Sequence, residues 1–339
     1  MQPEYSFVIP VYNRPDEIRE LLQSMLKMRA PVPFEVVIVE DGSTNSSEAV
    51  VAEFQDRLFI SYYFKKNSGP GDSRNYGMRK AQAPYFLILD SDVLMPEDYL
   101  EEVHQYLSGN FHDCFGGPDA AHESFSNTQK AIDYSMTSFC TTGGIRGGKK
   151  AVDEFQPRSF NMGLSKKAFE LSKGFGRIHP GEDPDLSLRL KKLGIKTCLI
   201  PKARVFHKRR IDWKKFFVQV KKFGMVRPVL NKWHPGSAKI TYWFPSLFMT
   251  GLILSIILLF AGFSFFISCY LIYFLIIAVD AAIRNKTLYI GLLAVKAVII
   301  QFSGYGYGFI VSNYHINIQK KQPEVAFPQL FFKKHGNQE

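Results

Sequence analysis

Ala83-Pro-Tyr-Phe-Leu-Ile-Leu-Asp-Ser-Asp92 is an apolar run that stops on two carboxylates, Asp90 and Asp92. Tyr85 to Leu89 show no polar alternation, which predicts a central parallel strand covered on both faces, with Pro84 where such a strand begins. The two aspartates then stand at its carboxyl end, the edge where open α/β sheets bind ligands. Two hard oxygen ligands at that edge suit Mg²⁺ or Mn²⁺ held against phosphate oxygens. A plainer reading competes: Asp90 ends the strand, and Asp92 caps a helix announced by Pro96-Glu-Asp98. The neighbouring segments decide between them.

The chain has 339 residues, 46% of them hydrophobic and 14% aromatic, and the apolar excess is uneven. Residues 1–210 have the mixed composition of a soluble domain with its own core, whereas the sequence from Tyr242 turns almost wholly apolar. Net charge is +11, with basic residues crowded between Lys202 and Lys239, beside the apolar region. That placement favours a membrane surface over a nucleic acid as partner. Cys114, Cys140, Cys198 and Cys269 are widely spaced and suggest neither zinc nor a disulfide framework. The polar start Met-Gln-Pro-Glu leads directly into a strand, so the first domain is expected to stay cytoplasmic.

Tyr5 to Ile9 and the helical pattern from Asp16 to Met28 form a strand, turn and helix. Phe34 to Val39 is a second strand, closed by Glu40-Asp-Gly-Ser-Thr44, and Leu58 to Phe64 a third. Asn67-Ser-Gly-Pro-Gly-Asp-Ser-Arg-Asn75 then opens a helix ahead of the acidic strand. It lacks the spacing of a dinucleotide or Walker loop. Strands alternating with helices predict a doubly wound half-domain with right-handed crossovers. Further strands are expected at Asp113–Gly117, Phe160–Leu164 and Lys196–Pro201, and Ala203–His207 places one histidine just past an apolar pair, Val205 and Phe206. The polar stretch Pro118–Gln156, with Thr141-Thr-Gly-Gly-Ile-Arg-Gly-Gly148, reads as a mobile loop or substrate lid. A second acidic knot, Gly181-Glu-Asp-Pro-Asp185, opens a helix.

Taken in order, Val8-Ile-Pro-Val-Tyr-Asn13, Val39-Glu-Asp-Gly-Ser43, Asn67-Ser-Gly69 with Arg74-Asn75, Asp90-Ser-Asp92, Gly181-Glu-Asp183 and His207 resemble the family 2 glycosyltransferases. These are inverting enzymes of the GT-A fold, a Rossmann-like mixed α/β sheet that binds nucleotide-sugars. The resemblance implies nucleotide-sugar contacts at Pro10, Tyr12, Asn13, Asp41, Asn67, Gly69, Arg74, Asp90, Ser91 and Asp92, with Asp41 accepting from the nucleobase. It also implies a divalent cation, Mn²⁺ or Mg²⁺, on Asp92 and Asp90, with His207 as a further ligand that suits Mn²⁺ better. An inverting transfer needs a base. Asp183 is the candidate, in a cluster with Glu182 and Asp185 whose repulsion and burial would raise one pKa. Helix capping by Asp183 and Asp185 is the competing account.

Four segments are expected: a catalytic domain over 1–210, a basic amphipathic interfacial stretch over 211–241, two or three transmembrane helices over 242–312, and a basic tail over 313–339. Trp213, Phe216, Phe217, Val220 and Phe223 recur at helical spacing with lysines on the flanks, the pattern of an interfacial helix. Phe244–Phe260 and about Phe263–Ile283 suit spans, and Leu288–Val311 either spans or lies in the interface. Three full spans conflict with the lysines of the tail, which favour a cytoplasmic C-terminus. The expected function is transfer of a sugar from a nucleoside-diphosphate sugar to a hydroxyl of a lipid-linked or cell-surface glycan acceptor. The expected location is the inner membrane, multi-pass, with the catalytic domain on the cytoplasmic face. Competing readings are a polyprenyl-phosphate sugar synthase and an inactive nucleotide-sugar-binding membrane protein. A processive polysaccharide synthase is disfavoured, because no Gln-x-x-Arg-Trp precedes the apolar helices.

Overall fold

The computed structural model describes residues 2–120, 125–143, 155–207 and 212–332. Two compact units result: one gathers residues 1–122, 146–208 and 331–339, the other residues 123–145 and 209–330.

The first unit is built on a mixed seven-stranded sheet. β1 (Tyr5–Val11), β2 (Phe34–Asp41), β3 (Ile60–Lys65) and β4 (Tyr85–Leu89) are parallel, in the order β3-β2-β1-β4. β1 and β4 are buried along their whole length, β4 as its unbroken apolar run requires. A short β5 (Val93–Leu94) follows the acidic turn, then β6 (Cys114–Gly116), β7 (Asp119–Ala120), β8 (Asn161–Ser165), β9 (Thr197–Leu199) and β10 (Val205–His207). The main sheet continues from β4 through antiparallel β8 to β6 and β9. Strand order reverses between β1 and β4, which makes their carboxyl ends the switch-point crevice.

β5 overturns the capping account of Asp92. The chain runs from the acidic turn into a strand, and the next helix, Tyr99–Gly109, has Asp98 at its N-cap. β5, β10 and β7 form a separate three-stranded sheet in which His207 faces Val93, one residue beyond Asp92, and Val205 faces Asp119. Residues far apart in the chain are brought to one corner in this way.

The second unit is helical. Asn127–Thr137 opens with a capping box, Ser126 with Gln129, and buries Ala131 and Tyr134 with Ile277, Ala281 and Ala294. Eleven residues of the expected lid therefore form a docked helix, while residues 121–124 and 144–154 of it lie outside the described residues. Trp213–Trp233 buries Phe216 and Val220 beside Ile132, Met136 and Ala297, so protein rather than lipid covers these two members of its apolar stripe. Among the described residues, three helical stretches, Ile240–Phe260, Phe265–Asn285 and Leu288–Ile318, are long and apolar enough to cross a membrane.

The helix Pro70–Lys80 seats Gly77 directly on β1 and β2. A Cβ there would stand 2.6 Å from Val8 and 3.1 Å from Val39. Gly77→Ala should lower stability by about 1–3 kcal/mol through overpacking. Gly109→Ala, with open space around it, should be neutral or slightly stabilising. Thermal unfolding of the two variants in detergent separates these outcomes.

Candidate active site

Asp90 and Asp92 leave β4 into the crevice, and each is held by an arginine. Arg14, just before the helix Pro15–Met25, donates from Nη1 to Asp92 Oδ2 at 2.6 Å. Arg74, almost fully buried, donates from Nη2 to Asp90 Oδ1 at 2.6 Å and from Nη1 to Glu182 Oε1 at 3.0 Å. His207 Nε2 lies 3.2 Å from the second oxygen of Asp92, and its Nδ1 is 3.7 Å from Asp119 Oδ2. The His207 ring stacks on Phe160, with centroids 5.0 Å apart.

The electrostatics follow from this packing. Burial opposes charge on both Asp92 and His207 and is the largest single influence on each, and their mutual attraction acts against it. With Arg14 added, Asp92 is held well below the usual carboxylate range, and with Asp119 added His207 is pushed up to about 9. The residues fit a divalent cation. One ligand atom from each of Asp90, Asp92 and His207 lies within 4.8 Å of the others, and Asp92 Oδ1 is buried without an aligned hydrogen bond. Two carboxylates and an imidazole suit Mn²⁺ better than Mg²⁺.

The acidic helix Glu182–Lys192 begins beside this cluster. Its N-cap is Gly181, at φ 117°, so no aspartate caps it. The expected mutual repulsion of three acids is largely removed, because each acquires a cation. Glu182 takes Arg74 and His179, the latter at 3.1 Å. Asp185 takes Arg189 at 2.9 Å, and Asp183 faces Arg158 at 3.6 Å. Burial, countered by His179 and Arg74, leaves Glu182 lowered to about 2. Asp183 is raised, first by burial and then by Glu182, against the pull of Arg158 and Arg74. A carboxyl shifted upward beside the ligand edge, as Asp183 is, can accept a proton.

The other residues of the resemblance have their own contacts within the protein. Asp41 Oδ1 accepts from Lys65 Nζ at 2.6 Å and Ser68 N at 2.9 Å, and Oδ2 accepts from Gly69 N at 2.8 Å. Three of about four lone-pair positions are thus used inside the protein. Asn67 Nδ2 donates to the Asp41 carbonyl at 2.9 Å. Asn13, at φ 53°, accepts on Oδ1 from the amides of Thr44 and Asn45, both at 2.9 Å. Pro10 is buried in β1, Ser91 is buried in the acidic turn, and Tyr12 is half exposed. Over Gly69 lies the ring of Phe332, whose nearest atom would be 2.3 Å from a Cβ.

Several participants carried no local signal: Arg14, Arg158 and Asp119 act through partners distant in sequence, whereas His179 pairs with Glu182 only three residues on. Asn75 could have been found from its place beside Arg74. Its amide clamps residue 175, donating to the carbonyl at 2.9 Å and accepting from the amide at 2.8 Å.

Residues 6–167 match the model of glycosyl transferase family 2. Validoxylamine A glucosyltransferase of Streptomyces hygroscopicus subsp. limoneus is 39% identical over 104 residues, which cover 30% of this chain and 23% of that protein. Poly(ribitol-phosphate) β-N-acetylglucosaminyltransferase TarS of Staphylococcus aureus is 30% identical over 113 residues, covering 32% and 20%. The chain therefore spans about a quarter or less of the length of these two relatives. Among solved structures, mannosyltransferase PcManGT from Pyrobaculum calidifontis, in complex with GDP-Man and Mn²⁺, aligns with a TM-score of 0.58 at 15% identity, covering 91% of this chain and 88% of that one. Residues 1–349 of S. aureus TarS align with a TM-score of 0.50 at 16% identity, covering 94% and 92%.

Glu182 supplies a pH test. Its carboxylate is favoured in the folded state, so the stability it contributes is present above its ordinary value of 4.5 and is lost as pH falls through about 2. Glu182→Gln should flatten the fall of Tm between those limits, as read by thermal unfolding in detergent. Residues 6–167 are thus similar to glycosyl transferase family 2, on a mixed sheet with the fold seen in glycosyltransferase structures.

Proposed function

We propose that this protein transfers a sugar, with inversion, from a nucleoside-diphosphate sugar to an acceptor hydroxyl, and that it depends on a divalent cation. The observation that carries the reading is the convergence of Asp90, Asp92 and His207 at the switch point, beside an acidic helix whose Asp183 is shifted upward. PcManGT is described with GDP-Man and Mn²⁺, and the matched relatives carry glycosyltransferase names.

In this reading Asp90, Asp92 and His207 hold the cation. When bound, it would neutralise the charge developing on the leaving diphosphate, an effect worth several kcal/mol. Asp183 takes the proton of the acceptor hydroxyl as that oxygen bonds to the anomeric carbon, while the bond from that carbon to the diphosphate oxygen breaks. The electron pair leaves on the nucleoside diphosphate. Arg74 keeps Asp90 and Glu182 in register with the two reacting ends, and Asn75 fixes the loop ahead of the acidic helix. Asp41 shapes the nucleoside end and has roughly one lone pair left for the base. Pro10, Tyr12, Asn13, Asn67, Gly69 and Ser91 complete the donor wall.

The acceptor is proposed to be lipid-linked or a surface glycan, reached from the cytoplasmic face of the inner membrane, because the catalytic unit is joined to long apolar helices. The upward shift of Asp183 favours a hydroxyl over a phosphate acceptor, which needs little base catalysis.

Full-length protein in detergent, screened against nucleotide-sugars with Mn²⁺ or Mg²⁺, should release nucleoside diphosphate. Asp183→Asn should lower kcat by about 10²-fold or more while leaving donor KM within about threefold. Asp92→Ala should abolish the dependence on cation. Full turnover by Asp183→Asn would remove the base from this position.

A further inference from the structure

Of the three stretches long enough to cross a bilayer, only two fit the way the chain returns to its starting unit. Phe331 forms an antiparallel bridge with Ile178, and Phe332 N donates to the Arg177 carbonyl at 3.2 Å. Both phenylalanines thus belong to the compact unit that contains β1 to β10. A chain that leaves a folded unit after residue 208 and rejoins it at residue 331 makes an even number of complete crossings. Three candidate spans cannot all cross.

The helical unit identifies the one that does not. Phe244–Phe260 and Phe265–Asn285 form a hairpin turned at Gly262, with φ 90°. Its tip is open: Phe260 is 87% and Phe265 71% exposed. Leu288–Asn313 meets this hairpin at the opposite end. Gly291 packs on Ala278 and Ala282, Phe302 packs edge-on against Phe244 and Phe248, Gly306 packs on Ser246, and Trp243 packs on Phe309. At 26 residues it is roughly 39 Å long, enough to lie across the base of a two-helix hairpin.

Its other neighbour is too basic for hydrocarbon. Trp213–Trp233 carries Lys214, Lys215, Lys221, Lys222, Arg227 and Lys232, each costing about 2.5–3.5 kcal/mol at a bilayer centre. The two helices run side by side from Trp213 under Lys296, through Val220 on Gly304 and Lys221 on Gly308, to the hydrogen bond of Ser312 Oγ to the Met225 carbonyl. Gly224 lets the Tyr305 carbonyl approach to 2.1 Å from where a Cβ would stand. A helix bound so closely along its length to a lysine-rich partner shares that partner's depth.

We propose that the chain crosses the bilayer twice, as the hairpin 244–285, and that Leu288–Asn313 and Trp213–Trp233 lie together in the lipid headgroup layer on the catalytic side. The paired helices are the membrane-docking surface. Their lysines meet lipid phosphates, their aromatic residues sit at headgroup depth, and both chain termini lie on one side. This inference does not depend on the donor or the chemistry.

The test uses full-length protein in sealed vesicles, with Cys140, Cys198 and Cys269 replaced by Ser and single cysteines added. Gln55→Cys, Lys286→Cys and Gln319→Cys should react with a membrane-impermeant maleimide from one side, and Ser264→Cys from the other. Labelling of Gln319→Cys from the side of Ser264→Cys overturns the proposal. Spin labels at Leu292, Ile299 and Tyr307 should report the same shallow depth, whereas a maximum at the bilayer midplane for Ile299 would make this helix a span.

Discussion

The buried guanidinium of Arg74 is the contact on which the rest of the catalytic unit depends. Its two ends reach Asp90, at the carboxyl end of β4, and Glu182, at the start of the acidic helix, two elements about 90 residues apart. A charge buried this deeply persists only when paired, so the pairing constrains the fold as well as the electrostatics. The glycine-bearing loop that opens Arg74's helix is tied by Asp41, and Asn75 on the same helix clamps the loop that precedes the acidic helix. One helix of eleven residues thereby registers the two chemical ends of the crevice.

The same arrangement gives chemically similar carboxylates different electrostatics. Asp92 is kept ionised by His207 and Arg14, and Glu182 by His179 and Arg74, whereas burial dominates at Asp183 and pushes it up. Acids pushed apart in this way can divide cation binding, scaffolding and proton transfer among themselves. A sequence reading that expected a single repelling cluster at Glu182, Asp183 and Asp185 misses that each acid acquires its own cation.

Much of the first unit was legible because its signals are local. The unbroken apolar run of β4, the mainly apolar runs of β1 and β2 and their closing polar turns identify parallel strands and a ligand edge. The short sheet of β5, β7 and β10 was less so: strands of two or three residues carry no period, and its pairing of Val205 with Asp119 joins residues far apart in the chain. The polar stretch after Pro118 read as a lid because its apolar face is narrow. Ala131 and Tyr134 become core only against Ile277 and Ala294. Likewise, the lysine-flanked stripe of Trp213–Trp233 has the same period whether it faces lipid or another helix, and Gly304 and Gly308 decide the matter by allowing a close neighbour.

The central claim is that Arg74 couples the cation end of the crevice to the acidic helix, and a double-mutant cycle of Arg74→Met and Glu182→Gln, read as unfolding free energy in detergent, tests it most directly. Each single change should cost about 3–5 kcal/mol, because it strands a buried charge. The double variant should fall short of the sum by up to about 3 kcal/mol, the range found for residues in contact. Additivity within about 0.5 kcal/mol would mean that the two ends are positioned independently, and the account would fail.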